Sequence, residues 1–313
     1  MSPPPGKPHR SRPSRSWAGS SVPSGRRAAA GLERIRDTTR AADLHKRRLG
    51  RTGLLVSEIG FGTAHVAGVA EAEETLFRAF SLGINFVETG RAYGESEYLI
   101  GRTLRRLGED ARAVYVASKT LKRTRDGALA DLERSLSHLG LAGMDIYQLN
   151  DVDVESWEQV MASGGALAGL QEAREQGIVR FIGITSHSAD ILRRAVTSGQ
   201  FDTIEVAYNP FDRRGEAVIR LAHRKDIGVI GMKPFGGFGM LGSLKGSSGG
   251  RALNAGALLR YALSNRCLSV TIPGMRFVRE VEENVAFAAA YRPMTSGQKT
   301  RLRKQAQAFL AVG

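Results

Sequence analysis

The chain has 313 residues, 42% of them hydrophobic, and a formal net charge of +14. It contains no run near the ~20 apolar residues that span a bilayer, so we expect a soluble protein that does not bind a membrane. The single cysteine, Cys267, excludes an intramolecular disulfide and any cysteine-based metal or iron–sulfur site. The histidines are scattered without metal-ligand spacing, and we predict no metal.

Most of the positive charge lies in the first 48 residues, which carry twelve Lys and Arg against three acids. The remaining chain carries only +5. It also lacks the basic runs, interleaved with aromatic residues, that follow a phosphate backbone. We therefore do not expect a nucleic-acid partner.

Residues 1–45 are rich in Pro, Ser and Arg, and no acid precedes Glu33. Such a segment cannot bury enough apolar surface to fold, so it is predicted to be a disordered basic tail before one folded domain, residues 46–313. The lone cysteine fits a reducing compartment, and we expect a cytoplasmic protein. The Arg/Ser-rich, acid-poor tail also has the composition of an organelle transit peptide, and that alternative stays open.

From residue 46 onward, short apolar strands alternate with amphipathic helices. The segment KRRLGRTGLLVS predicts a β-hairpin that turns at residues 51–53. Eight strand-like runs follow, and they are EIGFGT, INFVET, VYVASK, DIYQLN, FIGITS, TIEVAY, GVIGMK and SVTIPG. Helices are predicted at 71–82, 95–107, 126–139, 155–176, 188–199, 214–225, 251–264 and 278–291, with a last one at 296–311.

Eight strand-then-helix units, with strands apolar on both faces, predict a (β/α)₈ TIM barrel with an N-terminal β-hairpin and a C-terminal helix. The alternative is an open doubly wound sheet, whose first strand-to-helix turn usually carries G-x-G-x-x-G; the turn here, GFGTAHVAG, does not match. Barrel chemistry belongs to the carboxyl ends of the strands. That rule selects Thr63, Glu88, Tyr93, Lys119, Asn150, Thr185, Glu205, Met232 and Gly274.

Several segments resemble the aldo-keto reductase superfamily, in an ordered series between about residues 46 and 291. They are GINFVETGRAYGESEYLIG, VYVASK, DIYQLNDVD, GIVRFIGITSHS, YNPFD, IGVIGMKPFGG and TIPGMRFVREVEENV. Details such as GMKPFGG are similar to bacterial members of the family. Those members often carry a C-terminal ferredoxin-like extension, and this chain lacks the cysteines of that extension. The resemblance implies an NAD(P)(H)-dependent oxidoreductase that interconverts a carbonyl and an alcohol on a small molecule. It identifies no substrate and leaves the oligomeric state unknown.

In that family a Tyr, a Lys, an Asp and a His surround the reacting carbonyl, and the matching positions are Tyr93, Lys119, Glu88 and Asn150. The resemblance implies that Tyr93 is the general acid/base and that the Lys119 ammonium eases loss of its proton. Glu88 keeps the charge of Asp and adds a methylene. Asn150 can donate a hydrogen bond where the family has His, but it cannot titrate.

The resemblance also implies a set of cofactor contacts. At the nicotinamide end, the matching positions are Gly62 and Thr63 for the ribose, Thr185, Ser186 and Glu205 for the carboxamide, and Met232 for the ring face. Lys233 and the segment GGFGMLGSLKGSSGG match the positions at the pyrophosphate. Glu283 and Asn284 match the positions at the adenine. The family has Gln where this chain has Glu205.

The choice between NAD and NADP depends on a cation for the 2′-phosphate. The Lys, Ser and Arg common in the family are replaced here by Gly274, Met275 and Glu280, while Arg276 offers charge from a neighbouring position. We therefore expect NADP(H) to be slightly favoured over NAD(H).

Two of the four positions around the reacting carbonyl, Glu88 and Asn150, differ from the family, and this difference keeps other functions open. One is a non-redox epimerase or dehydratase on the same barrel, and another is a cofactor-binding regulatory protein with weak activity. His65 or His187 could supply the missing imidazole, although a surface position is favoured for each.

Overall fold

The computed structural model describes residues 44–237, 239–245 and 250–311. The predicted tail lies outside these ranges except for Leu44 and His45. Leu44 is buried in the core, so packing begins at the first described residue.

An antiparallel hairpin opens the described chain, as predicted. Strand β1 (Lys46–Arg48) pairs with β2 (Leu55–Ser57), and a 3₁₀ turn (Gly50–Thr52) joins them. The turn lies against the start of a later strand, with Arg51 N donating to Asp226 O over 2.5 Å. Buried Leu49, with its apolar neighbours in the hairpin, contacts the barrel interior. The hairpin therefore closes the end of the barrel away from the strands' carboxyl ends.

Eight parallel strands form the barrel, in the order of the chain. They are β3 (Phe61–Gly62), β4 (Phe86–Glu88), β5 (Tyr115–Thr120), β6 (Met144–Leu149), β7 (Val179–Thr185), β8 (Thr203–Ala207), β9 (Gly228–Met232) and β10 (Val270–Ile272). Backbone hydrogen bonds from Gly60 N to Thr271 O (2.8 Å) and from Gly62 N to Pro273 O (3.0 Å) join the first strand to the last. The predicted (β/α)₈ barrel is confirmed.

Helices follow the strands. They are α1 (Ala72–Ser81), α2 (Ser96–Leu107), α3 (Arg125–Leu139), α4 (Val154–Met161), α5 (Ala166–Glu175), α6 (Ala189–Ser198), α7 (Glu216–Arg224), α8 (Met240–Lys245), α9 (Ala255–Leu263), α10 (Val278–Ala290) and α11 (Ser296–Leu310). Most of them cover the outside of the barrel, whereas α8 contributes to a cleft at the strand ends. Several begin at a side-chain cap, such as Thr124 for α3 and Asp153 for α4. Within the described ranges, no helix is both long and apolar enough to cross a membrane.

One predicted helix, residues 155–176, is wrong because the structure has two, α4 and α5. Gly165 is extended at the N-terminus of α5, and Arg125 N donates to Gly164 O over 2.9 Å. A Cβ on Gly165 would lie 2.3 Å from Gln159 O, so the chain doubles back against its own preceding helix. The predicted helices do not include the short helix α8, which lies in the glycine-rich segment after β9.

We expect Gly165→Ala to lower the free energy of unfolding by about 1–3 kcal/mol, because its methyl group would clash with backbone oxygens that cannot rotate away. The matched control is Gly164→Ala, where an added Cβ meets nothing within 4 Å. Urea unfolding followed by tryptophan fluorescence measures both variants. Equal stabilities for the two variants would contradict this account of the break between α4 and α5.

Candidate active site

A cleft of about 460 Å³ opens at the carboxyl ends of the strands. Its wall contains Glu88 at the end of β4, Tyr93 in the loop after β4, Glu205 on β8, Met232 at the end of β9 and Gly274 after β10. Parallel strands bring these positions to one edge of the barrel, although they are far apart in the chain.

Lys119, at the end of β5, is the buried cation beneath this cleft. Its side chain is 1% exposed and forms an ion pair with Glu88. Its ammonium also donates to Thr89 O over 3.1 Å, and Glu205 Oε1 lies 3.9 Å from Nζ. Burial lowers the pKa of Lys119 to about 8, although the negative charge of Glu205 acts to raise that pKa. Most molecules therefore keep the ammonium at neutral pH.

Tyr93 lies beside this cation. Lys119 Nζ is 4.5 Å from the centre of the Tyr93 ring. Burial, then the charges of Glu205 and Asp151, raise the pKa of the Tyr93 hydroxyl well above its usual value. The neutral phenol is therefore the stable form at neutral pH, and the side chain is a proton donor in this state.

A buried polar network holds the loop that carries Tyr93. Glu97, in the first turn of α2, accepts from Ser118 Oγ over 2.7 Å and forms an ion pair with Arg91. The Arg91 guanidinium also contacts His138 Nδ1 at 2.8 Å, and Arg91 N donates to Lys119 O over 3.1 Å. The network ties the loop to β5 and α3, so the Tyr93 ring is positioned against Lys119.

Asn150 is fixed by the neighbouring strand end. Thr185 Oγ1 donates to Asn150 Oδ1 over 3.1 Å and accepts from Asp151 N over 2.8 Å. Asp151 has a φ of 47°, which a side-chain-bearing residue rarely adopts. Arg123 donates to the carbonyls of Asn150 and Asp151 over 2.7 and 2.8 Å, which stabilises that turn.

The expected carboxamide contacts are already engaged within the protein. Thr185 holds Asn150, and Ser186 Oγ donates to Val152 O over 2.6 Å and accepts from Ser188 N over 3.0 Å. Glu205 has internal partners too, Gln148 Nε2 at 2.9 Å and Lys119 Nζ at 3.9 Å, and it also forms part of the cleft wall.

Five of the expected cofactor positions line the cleft, and they are Gly62, Glu205, Met232, Lys233 and Arg276. Thr63 is buried behind the wall, where its hydroxyl donates to Glu88 O over 2.9 Å. Neither adenine position lines the described cleft: Glu283 is exposed beside Arg279 at 3.7 Å, and Asn284 is mostly buried on α10. His65 lines the cleft from an exposed position, and His187 lies 3.4 Å from Lys233 Nζ.

Comparison with known proteins identifies the family. Residues 58–251 match the sequence model described as the Aldo/keto reductase family. The chain belongs to this family. It is 29% identical over 294 residues to the L-galactose dehydrogenase of Arabidopsis thaliana, covering 81% of this chain and 91% of that protein. It is 26% identical over 213 residues to the NADH-specific methylglyoxal reductase of Escherichia coli (strain K12), covering 58% of this chain and 64% of that protein.

The fold agrees with this assignment. The holo form of aldo-keto reductase AKR11C1 from Bacillus halodurans superposes with a TM-score of 0.67 at 22% identity, covering 85% of this chain and 96% of that one. This aldo/keto reductase is an NAD(P)-dependent oxidoreductase that interconverts carbonyls and alcohols on small molecules. Family membership leaves the choice between NAD(H) and NADP(H) open.

The described cleft of this aldo/keto reductase fits the nicotinamide and pyrophosphate portions of a dinucleotide. Gly236, Gly237 and Gly239 have φ values of 91°, 118° and 80°, a backbone course that suits close approach by a ligand. Lys233 supplies a cation for an anionic pyrophosphate, and Met232 supplies an apolar face for a planar ring. Phe238 and residues 246–249 of the expected pyrophosphate segment lie outside the described residues.

Sequence reasoning missed the network of Arg91, Glu97, Ser118 and His138 in this aldo/keto reductase. The GESEYLIG segment contributes to the resemblance, yet a Glu in the first turn of a helix is ordinarily an exposed residue. Its burial depends on three partners from different elements, which no local pattern reports.

Proposed function

We propose that this chain uses NAD(P)(H) to interconvert a carbonyl and an alcohol, with Tyr93 as the general acid in reduction and the general base in oxidation. The observation that carries the proposal is the buried Lys119 ammonium, paired with Glu88 and 4.5 Å from the centre of the Tyr93 ring, at a cleft that fits the cofactor. A bound nicotinamide would supply or accept the hydride.

Proton transfer is the part that the protein supplies. When hydride reaches a carbonyl carbon, the substrate oxygen gains negative charge and needs a proton. The Tyr93 hydroxyl gives that proton in reduction and takes it back in oxidation. Lys119 stabilises the phenolate that remains, and Glu88 with Thr89 O holds the ammonium in place.

Asn150 orients the substrate without exchanging a proton. Its Oδ1 accepts from Thr185 Oγ1, so its Nδ2 is the group that can donate to a carbonyl oxygen. Such a donor stabilises the negative charge that develops on the carbonyl oxygen in the transition state. Because an amide does not titrate, the pH dependence of turnover comes from the other groups of the site.

Tyr93→Phe is expected to lower kcat/KM for carbonyl reduction by about 10²–10⁴-fold, because the ring stays and the proton donor is lost. Cofactor affinity should change less than about threefold. Tyr115→Phe, at the opposite end of β5 from Lys119, is the matched control. Consumption of reduced cofactor measures turnover, and undiminished turnover by Tyr93→Phe would remove this residue from the mechanism.

The rate of carbonyl reduction is expected to fall as pH rises through about 8, the pKa to which burial lowers Lys119. The ammonium is present below that pH and assists release of the Tyr93 proton; above it the lysine is neutral and the assistance is lost. The Lys119→Met variant should lack this fall in kcat/KM near pH 8, whereas the variant Lys122→Met, at an exposed position, should keep it. A profile of the unmodified protein that stays level well above this pH would contradict the assignment.

We infer that the preference for NADP(H) is slight because two opposite charges face the same part of the cleft. Arg276 attracts a 2′-phosphate, while Glu280, which accepts from Arg276 N over 2.7 Å, repels it. NADPH is expected to bind about two- to tenfold more tightly than NADH, since the exposed guanidinium contributes about 1 kcal/mol. Arg276→Ala should leave the repulsion by Glu280 unopposed, so that NADH binds at least as tightly as NADPH, and Glu280→Gln should enlarge the preference for NADPH.

Fluorescence titration with each reduced cofactor measures these affinities. Arg266→Ala, at an exposed residue beside Arg47 of the hairpin, is the control for loss of one surface charge. Tighter binding of NADH by the unmodified protein would overturn the preference for NADP(H).

A further inference from the structure

Glu205 places a second carboxylate beneath the cleft. The residue is 2% exposed, yet it forms part of the cleft wall. Gln148 Nε2 donates to its Oε2 over 2.9 Å, and its Oε1 lies 3.9 Å from Lys119 Nζ. Both oxygens therefore face hydrogen-bond or ionic donors, as expected for the charged carboxylate.

The charges of Lys119, Glu88 and Glu205 do not cancel one another. Glu88 pairs directly with the Lys119 ammonium, and Glu205 faces the same ammonium from farther away. Among the described residues, Lys119 is the only cation that forms an ion pair with Glu205 within 4.0 Å. One cation thus faces two buried carboxylates, so these three side chains carry a net negative charge that is screened poorly by solvent.

The field of Glu205 reaches the neighbouring titratable groups. It raises the pKa of the Tyr93 hydroxyl, and it opposes the effect of burial on Lys119. A charged group that entered the cleft beside these residues would experience the same field.

We infer that Glu205 stabilises the oxidised, cationic form of the cofactor relative to the reduced form and so biases this protein towards alcohol oxidation. The inference rests on the proposed binding of NAD(P)(H) in this cleft. The nicotinamide ring is positively charged when oxidised and neutral when reduced, so an uncompensated carboxylate distinguishes the two forms. By linkage, the ratio of the two dissociation constants shifts the equilibrium of hydride transfer on the protein by the same factor.

The charge of Glu205 also acts on Tyr93. In the absence of a further cation, it discourages formation of the phenolate needed to accept a proton from an alcohol. The oxidised ring would offset the excess negative charge and make that phenolate easier to form. Oxidised cofactor and the basic form of Tyr93 should therefore favour one another by direct attraction, and Glu205→Gln should make the phenolate easier to form with either form of the cofactor.

The test is to measure the dissociation constants of oxidised and reduced cofactor for the unmodified protein and for Glu205→Gln. This variant keeps the size of the side chain and removes its charge. We expect the ratio of the reduced to the oxidised constant to fall about tenfold, equivalent to about 30 mV for a two-electron couple. Glu109→Gln, an exposed carboxylate after α2, should leave the ratio within about twofold, since exposed charges are screened.

A second variant separates charge from shape. Glu205→Asp keeps the carboxylate, so it should retain the ratio of the unmodified protein. If both forms bind to Glu205→Gln with an unchanged ratio, or if Glu205→Asp shifts the ratio as far as Glu205→Gln does, the inference is wrong.

The unmodified protein gives a test that does not depend on a variant's folding. Its oxidised cofactor should bind at least as tightly as the reduced form. Reduced cofactor that binds more than about tenfold more tightly would overturn the role of Glu205. Failure of either form to bind would contradict the proposed function as well, and that result is distinct from an unchanged ratio.

Discussion

The ion pair between Lys119 and Glu88 is the interaction on which the site depends. Burial of an isolated ammonium or carboxylate costs several kcal/mol, and a partner at close range offsets much of that cost. Here the two groups lie at the ends of adjacent parallel strands, where the register of β4 and β5 brings their side chains together. The hydrogen bond from Lys119 to Thr89 O fixes the ammonium further. The barrel thus provides a rigid edge on which a buried charge can be held.

The other features of the site follow from that buried charge. Tyr93 gains a cation beside its ring because the loop after β4 is tied down by Arg91 and Glu97. Asn150 is oriented by Thr185 from the next strand and by Arg123, which stabilises the strained turn at Asp151. These supports come from several elements of the barrel. The position of each reactive group therefore depends on the whole fold more than on its own loop.

The sequence predicted the barrel well because each element carries its own signal. The eight apolar runs became eight strands, and most predicted helices agree with the observed bounds within a few residues. The break at Gly164 and Gly165 was missed because its cause is the contact of a glycine with the oxygens of a preceding helix, which helical periodicity does not report. The short helix α8 was missed because its glycine-rich surroundings are typical of a loop.

The rule that barrel chemistry lies at the strand ends led to the positions of the candidate site, and resemblance to the family led to their roles. Tyr93, Lys119 and Glu88 meet at the strand ends, as expected from their alignment with the family's residues. Two structural properties could not be predicted from the sequence. Thr185 serves as a support for Asn150, and Glu205 and Glu88 share one ammonium. Both properties depend on distances between side chains from the five neighbouring strands β4 to β8.

The most direct test of the account follows the hydride itself. The protein would be incubated with reduced cofactor deuterated at the reactive carbon of the nicotinamide and with a panel of aldehydes, ketones and sugars. We predict that one equivalent of reduced cofactor is consumed for each alcohol formed, with one deuterium on its carbinol carbon. Substrate conversion with no net change in the cofactor, or tight cofactor binding with no conversion across the panel, would contradict the proposed reaction.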